Sequence, residues 1–413
     1  MPSFSIALTG LEANSTALDT IGNNLANLNT TAFKTQTTTF SDLFYQNVGT
    51  TGSGDALQVG LGTQVSGTTT DYTGGSLNTA TSSTDMAING TGFFVVNAGG
   101  TQELTRDGTF QLDQSGNLQT SSGDGVMGYA AVNGTVSTNT PLTTLQIPVN
   151  ATEAASATTQ FGITANLDAA TAVGGTFSQT VAMYDSLGTS HSVTIDFTKT
   201  SDNTWGYSIS VPSADLNSTA TTTNTTGTLT FSSSGALTTP TSDVTGITFT
   251  GLADDASPLT LDWNLYPSGT TSASNLTQTV ATSTSTAQTQ NGYASGTYSG
   301  FSVSADGVIT TKFSNGQTED VGQIAIAKVT NEEGLTIDGS NNYSTTAASG
   351  AASVGAAGAG GRGSIEDDEL EASNVDISTE FADLIVAQRA FEANSKTVTT
   401  FDTVTQETIN MIH

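Results

Sequence analysis

The chain contains no cysteine. That excludes a disulfide framework, a thiolate nucleophile and any metal site built on Cys. Positive charge is also scarce: 8 Lys and Arg stand against 37 Asp and Glu, for a net charge of −29 over 413 residues. Duplex nucleic acid and anionic membrane surfaces are thereby excluded as partners, because both are held by clusters of Lys and Arg. No run approaches the 18 or so apolar residues that a membrane-spanning helix needs. The N-terminus has neither a basic segment nor a continuous apolar segment ahead of a cleavage site, so no cleaved secretory signal is expected. The absence of HExxH, GxSxG, P-loop and Cys/His metal spacings removes the common routes to catalysis.

What remains for chemistry is thin. There are two histidines. His413 is terminal, and His191 shares the parity of Val193, Ile195 and Phe197, which places it at the start of a strand. Gly358-x-Gly360-x-x-Gly363 matches a dinucleotide fingerprint, but it lies in a Gly/Ala tract with no strand before it and acidic residues after it; it reads as a linker. Carboxylates are plentiful, yet no spacing singles out the pair a glycosidase needs. Asp367 and Asp368 sit in a charge run that reads as a solvated helix entry. No catalytic residue, cofactor site or metal site is expected. A secreted enzyme is disfavoured on these grounds. An adhesin-like fibre fits the Thr-rich middle of the chain better than its ends.

The ends carry the strongest pattern. Ile377, Phe381, Leu384, Gln388, Phe391, Ser395, Val398 and Asp402 follow alternating steps of four and three, the heptad step of helices that wrap other helices. Ser373 and Asp376 supply a cap. The first thirty residues mirror this through Phe4, Leu8, Leu11, Ser15, Leu18, Gly22 and Leu25. The Asn-rich stretch from Gly22 to Asn29 is expected to fray or end that helix. The apolar positions Phe4, Leu8, Leu11, Leu18, Leu25, Ile377, Phe381, Leu384, Phe391 and Val398 are the expected subunit-packing faces. Neither helix buries enough alone to offset its ordering entropy, so both are expected to order against copies of the same chain.

Between the ends the period changes to two. Met86–Ile88 and Phe93–Val96 flank Asn89-Gly90, a hairpin signal. Three further hairpins share one shape: Phe110–Leu112 before Gly116, Leu229–Phe231 before Gly235, and Phe301–Val303 before Gly307. The runs Val193/Ile195/Phe197, Trp205/Tyr207/Ile209/Val211 and Leu261/Trp263/Leu265 each present one apolar face of an antiparallel sheet. Thr-rich tracts at 217–228 and 269–288 read as loops. The expected class is multidomain α+β with nested topology: terminal helices 1–30 and 371–413 pairing as a coiled coil, connectors 31–71 and 347–370, an inner β domain from 72–145 and 285–346, and an inserted outer β domain at 146–284. Flexible joints are expected near 30–71 and 347–363.

Several of these stretches resemble the bacterial flagellar axial proteins of the rod/hook family. They are Ser15–Asn27 with Thr31-Ala32-Phe33-Lys34, Asp85–Phe94, Leu370–Asp376, and Ile385–Phe391 with Ala393-Asn394-Ser395. Tyr184-Asp185-Ser186-Leu187-Gly188 and Asn203-Thr204-Trp205 are similar to the inserted domain of the hook-type members, and the length agrees. The resemblance implies a structural, non-enzymatic subunit that polymerises with itself into a curved tubular universal joint passing motor torque to the filament. The alternative is a distal rod or other axial component of the basal body. It further implies neighbours in the distal rod, the hook cap and the hook–filament junction, and an extracellular location reached through the flagellar type III export apparatus.

Overall fold

The computed structural model describes residues 2–50, 52, 56–266 and 274–411. His413 and residues 269–273 of the second Thr-rich tract lie outside them. The described chain divides into two compact units, one of residues 1–149, 300–311 and 318–413, the other of 150–299 and 312–317.

The first unit begins with helix α1 (Pro2–Ala26) and closes with helix α2 (Ile377–Met411). Asp376 caps α2: its Oδ1 accepts the amides of Ser378 at 2.7 Å and Thr379 at 3.2 Å. As expected, α1 ends within the Asn-rich stretch, at Ala26. Asn24 holds its last turn by accepting the Gln36 amide at 3.0 Å and donating to the Gln36 carbonyl at 2.8 Å. A residue type that usually ends helices is here paid for by tertiary hydrogen bonds.

The expected extended connector after α1 is an antiparallel arm. Gln36–Asp42 pairs with Thr63–Thr70, and Tyr45–Thr50 pairs with Ala56–Gly60. The second expected joint is likewise paired: Ser353–Ala356 lies against Thr318–Lys328, Ser364–Asp367 against Met86–Asn89, and Glu369–Glu371 against Leu77–Thr79. The GxGxxG stretch is the turn between two of these strands, with the Gly358 amide donating to the Gly363 carbonyl. These pairings also correct the Asn89-Gly90 hairpin: Met86–Asn89 and Phe93–Ala98 do not pair with each other. The Phe93–Ala98 strand joins the main sheet of the unit, beside Thr101–Thr105, Gly125–Ala130 and Thr318–Lys328. Gly92 explains the change of direction. Its φ is +122°, and a Cβ there would stand 2.7 Å from an Ile326 methyl. Phe93, Leu104, Ala325 and Tyr343 lie in the core beneath this sheet.

The three look-alike hairpins all form, with one turn. The Gly116, Gly235 and Gly307 amides donate to the carbonyls of Asp113, Ser232 and Ser304, and each glycine has φ near +85°.

The second unit contains a five-stranded antiparallel sheet led by Thr176–Tyr184, Ser190–Ser201 and Thr204–Ser210, and a six-stranded mixed sheet centred on Gln160–Asp168. Both contribute to one core holding Trp205, Trp263, Phe161 and Phe197. Thr284–Gln290 pairs with Gln160–Asp168, so residues 285–299, expected in the inner domain, belong here. Parts of the Thr-rich tracts expected as loops are strands (Thr226–Phe231, Leu276–Thr279, Thr284–Gln290), since a β-branched side chain suits a half-exposed pleat.

Candidate functional site

Two features of the first unit stand out: the packed terminal helices and the junction beneath them. The helix pair is antiparallel. Asn24 Nδ2 donates to Glu380 Oε1 at 3.0 Å, and a Cβ on Gly10 would stand 2.9 Å from Asn394 Nδ2. Gly10 and Asn24 are separated by the same interval as Glu380 and Asn394, so one register accounts for both contacts and sets buried Ala17 opposite buried Ala387. The buried stripe of α1 is therefore Ala7, Gly10, Ala13, Ala17, Thr20 and Asn24, a face of small and polar side chains. On α2 the least exposed positions are Glu380, Leu384, Ala387, Ala390, Phe391, Asn394, Ser395, Val398, Phe401 and Thr405.

None of the ten expected packing residues is buried. Leu11, Leu18, Leu25, Leu384, Phe391 and Val398 are half-buried. Phe4, Leu8, Ile377 and Phe381 are 42–47% exposed. On α1 the small residues point inward, and the large ones sit beside the seam. Ile385 and Val386 of α2 are exposed as well, as are Phe44, Tyr45, Val48, Leu57 and Val59 on the arm.

Glu380 is buried inside the seam. Burial raises its carboxyl above the ordinary range, the Asn24 hydrogen bond offsets part of this, and Asp383 adds to it.

The junction joins two sequence stretches singled out separately, Thr31–Lys34 and Leu370–Asp376. The Ala32 amide donates to the Glu371 carbonyl at 2.8 Å, and the Asn374 amide donates to the Phe33 carbonyl at 3.2 Å. Ala32 is fully buried at φ +57°. The Asn374 side chain accepts the Thr35 amide at 2.7 Å and donates to the Asp71 and Thr73 carbonyls. At the centre Glu371 receives Lys34 Nζ at 2.5 Å, Arg106 Nη1 at 3.1 Å and the Gly75 amide at 2.9 Å. Arg106 also donates to the Ile88 and Gly90 carbonyls, and its guanidinium lies 5.6 Å from the Phe93 ring centre. All three charged side chains are buried. Burial pushes the Lys34 ammonium below its ordinary range despite Glu371. Nothing in the sequence paired Lys34 with Glu371. The scarcity of basic residues was the one available signal, since two of the eight are spent here.

Comparison with known proteins agrees in all parts of the chain. The family models matched are "Flagella basal body rod protein" at residues 4–34, "Flagellar hook protein FlgE/F/G D1 domain" at 87–164, "Flagellar basal body protein FlaE D2 domain" at 163–293, and "Flagellar basal body rod FlgEFG protein C-terminal" at 368–411. The chain is 35% identical to the flagellar hook protein FlgE of Escherichia coli over 99% of both chains. It is 35% identical to that of Salmonella typhimurium over 99% of this chain and 100% of the other, and 31% identical to that of Treponema pallidum over 100% and 99%. A crystal structure of Helicobacter pylori flagellar hook protein FlgE2 covers 71% of this chain and all of its own, with a TM-score of 0.52 at 16% identity; that likeness concerns the fold.

Proposed function

Because the chain belongs to the flagellar hook protein family, we propose that it polymerises with copies of itself through the outer faces of its terminal helices, forming the curved tube that carries motor torque to the filament. It is a hook subunit in bacterial motility, and its homologues are structural proteins. The match to the FlaE D2 domain at 163–293 favours this role over a rod component.

The observation that carries the assembly reading is the row of uncovered apolar side chains on the helices. Phe4, Leu8, Ile377, Phe381, Ile385 and Val386 would find cover against neighbouring helices as members of a coiled-coil core. A patch that meets a different patch on the next copy makes a heterologous contact, which propagates into a helical polymer. In this reading the terminal segments 1–30 and 371–413 form the tube's core, and the two β regions nested between them form outer layers. The subunit leaves the cell through the flagellum's own export apparatus and contacts the distal rod, the hook cap and the hook–filament junction.

Electron microscopy of cells lacking the gene tests the role. Complete rods without hook or filament are expected, whereas truncated rods would assign it to the rod. Phe381→Ser tests the face: the monomer should fold as before while polymer fails to form. A variant that polymerises normally would remove the α2 face from the interface.

A further inference from the structure

At one end of the second unit His191 lies between carboxylates. Its Nε2 is 2.9 Å from Asp185 Oδ2 and its Nδ1 is 3.1 Å from Asp215 Oδ2. His191 is 3% exposed and Asp185 is fully buried. Asp254 completes the group: single ligand atoms of Asp185, His191 and Asp254 all lie within 4.8 Å of one another. Among the described residues, no ion pair brings a Lys or Arg to these carboxylates.

Proton bookkeeping makes this cluster more than an acidic patch. A neutral imidazole has one N–H. If that proton sits on Nδ1 and is given to Asp215, the Nε2 lone pair faces the Asp185 oxygen, and two acceptors 2.9 Å apart need a cation or a second proton between them. The arrangement matches the way ligating histidines are held, with the far nitrogen donating to a carboxylate and the near one aimed at the metal. Asp185 is oriented in the same fashion. Its Oδ1 accepts the Leu187 and Thr189 amides at 2.8 and 2.9 Å, which leaves Oδ2 for the site.

We propose that Asp185, His191 and Asp254 bind a divalent first-row metal ion, with Asp215 as the positioning residue for His191. Ligand arms of about 2.1 Å to two atoms this close subtend nearly a right angle at the metal. That suits an octahedral ion such as Mn²⁺ or Co²⁺, with water in the remaining positions, better than tetrahedral zinc. Asp254 is exposed, so the site has an entrance. The ion would act as a staple. Asp185 lies in the turn between Thr176–Tyr184 and Ser190–Ser201 of one sheet, and Asp254 in the loop between Val244–Phe249 and Leu259–Trp263 of the other. The Ser257 amide already donates to Ser186 Oγ at 3.0 Å across the same gap. In a chain without cysteine, a metal is the available cross-link.

The test is titration of the chelator-stripped full chain with Co²⁺ and with Mn²⁺, followed by calorimetry, by the visible absorption of bound Co²⁺ and by thermal melting. One ion per chain, a raised Tm and octahedral Co²⁺ absorption are expected. Asp254→Asn, exposed and therefore tolerated by the fold, should weaken binding by about tenfold or more, and Asp215→Asn should weaken it while keeping the stoichiometry. Failure of the unmodified chain to bind, or equal binding by Asp254→Asn, would overturn the proposal and leave a proton in the gap.

Discussion

Glu371 draws both buried cations of the junction to one carboxylate, and its replacement separates two effects that buried ion pairs combine. Glu371→Ala leaves Lys34 and Arg106 buried without their shared anion, and urea denaturation should show a loss of about 3–5 kcal/mol. Replacing all three together by apolar residues of similar volume removes the desolvation cost along with the pairing, and should recover most of that loss. Gly75 is the second sensitive position, for a steric reason. A Cβ there would stand 2.0 Å from the Ala372 carbonyl oxygen, so Gly75→Ala must push apart the strands that carry the Glu371 contact. Its cost should exceed about 1 kcal/mol by the same measurement. Glu371 was legible in the sequence only as a member of the Leu370–Asp376 motif, and Gly75 was not marked by any motif. Their partnership depends on chain closure over most of the protein's length, which no local pattern encodes.

Among elements, the two helices show where period alone falls short. The heptad step was legible, and in α2 it runs through Leu384, Phe391 and Val398 as read. The inward register in α1 was not, because hydrophobic size was taken to mark the buried side. Here the helices approach on Gly10, Ala13 and Ala17, and the leucines flank the seam. The register is directly testable. Ala17→Leu overpacks the seam and should cost the monomer about 1–3 kcal/mol by thermal melting, while Leu8→Ser, at an exposed position, should barely move the monomer and should slow polymer growth.

Glu380 adds a pH test. Its folded-state pKa lies above the ordinary 4.5, so the folded state takes up the proton first. Helix-pair stability should therefore rise as pH falls from neutral through that pKa, with the gain complete below 4.5. Glu380→Gln keeps an acceptor for Asn24 and should abolish this rise in far-UV circular dichroism melts. The strands were easier to read than the helix faces. Alternation in Val193–Phe197 and Trp205–Val211 matches the buried positions one for one, because a sheet has only two faces to choose between.

For the whole molecule the governing quantity is charge. Copies carrying −29 each repel on approach, and the repulsion is screened as the Debye length falls from about 30 Å at 0.01 M salt to about 8 Å at 0.15 M. The concentration needed for polymer growth should therefore drop as salt rises, measured by sedimentation of polymer from monomer. Growth independent of salt would mean that the contacting faces carry little of the excess charge. The match of Thr31–Lys34 with Leu370–Asp376 has a further consequence. Where the chain leaves α1 it is already bonded to where it returns for α2, through Ala32, Thr35, Glu371 and Asn374. To the helices, everything in between is a purse drawn shut at its neck. Its contents can be enlarged, trimmed or exchanged in the course of evolution without the drawstring registering the change, since lengthening a closed loop costs only about 0.6 kcal/mol per doubling.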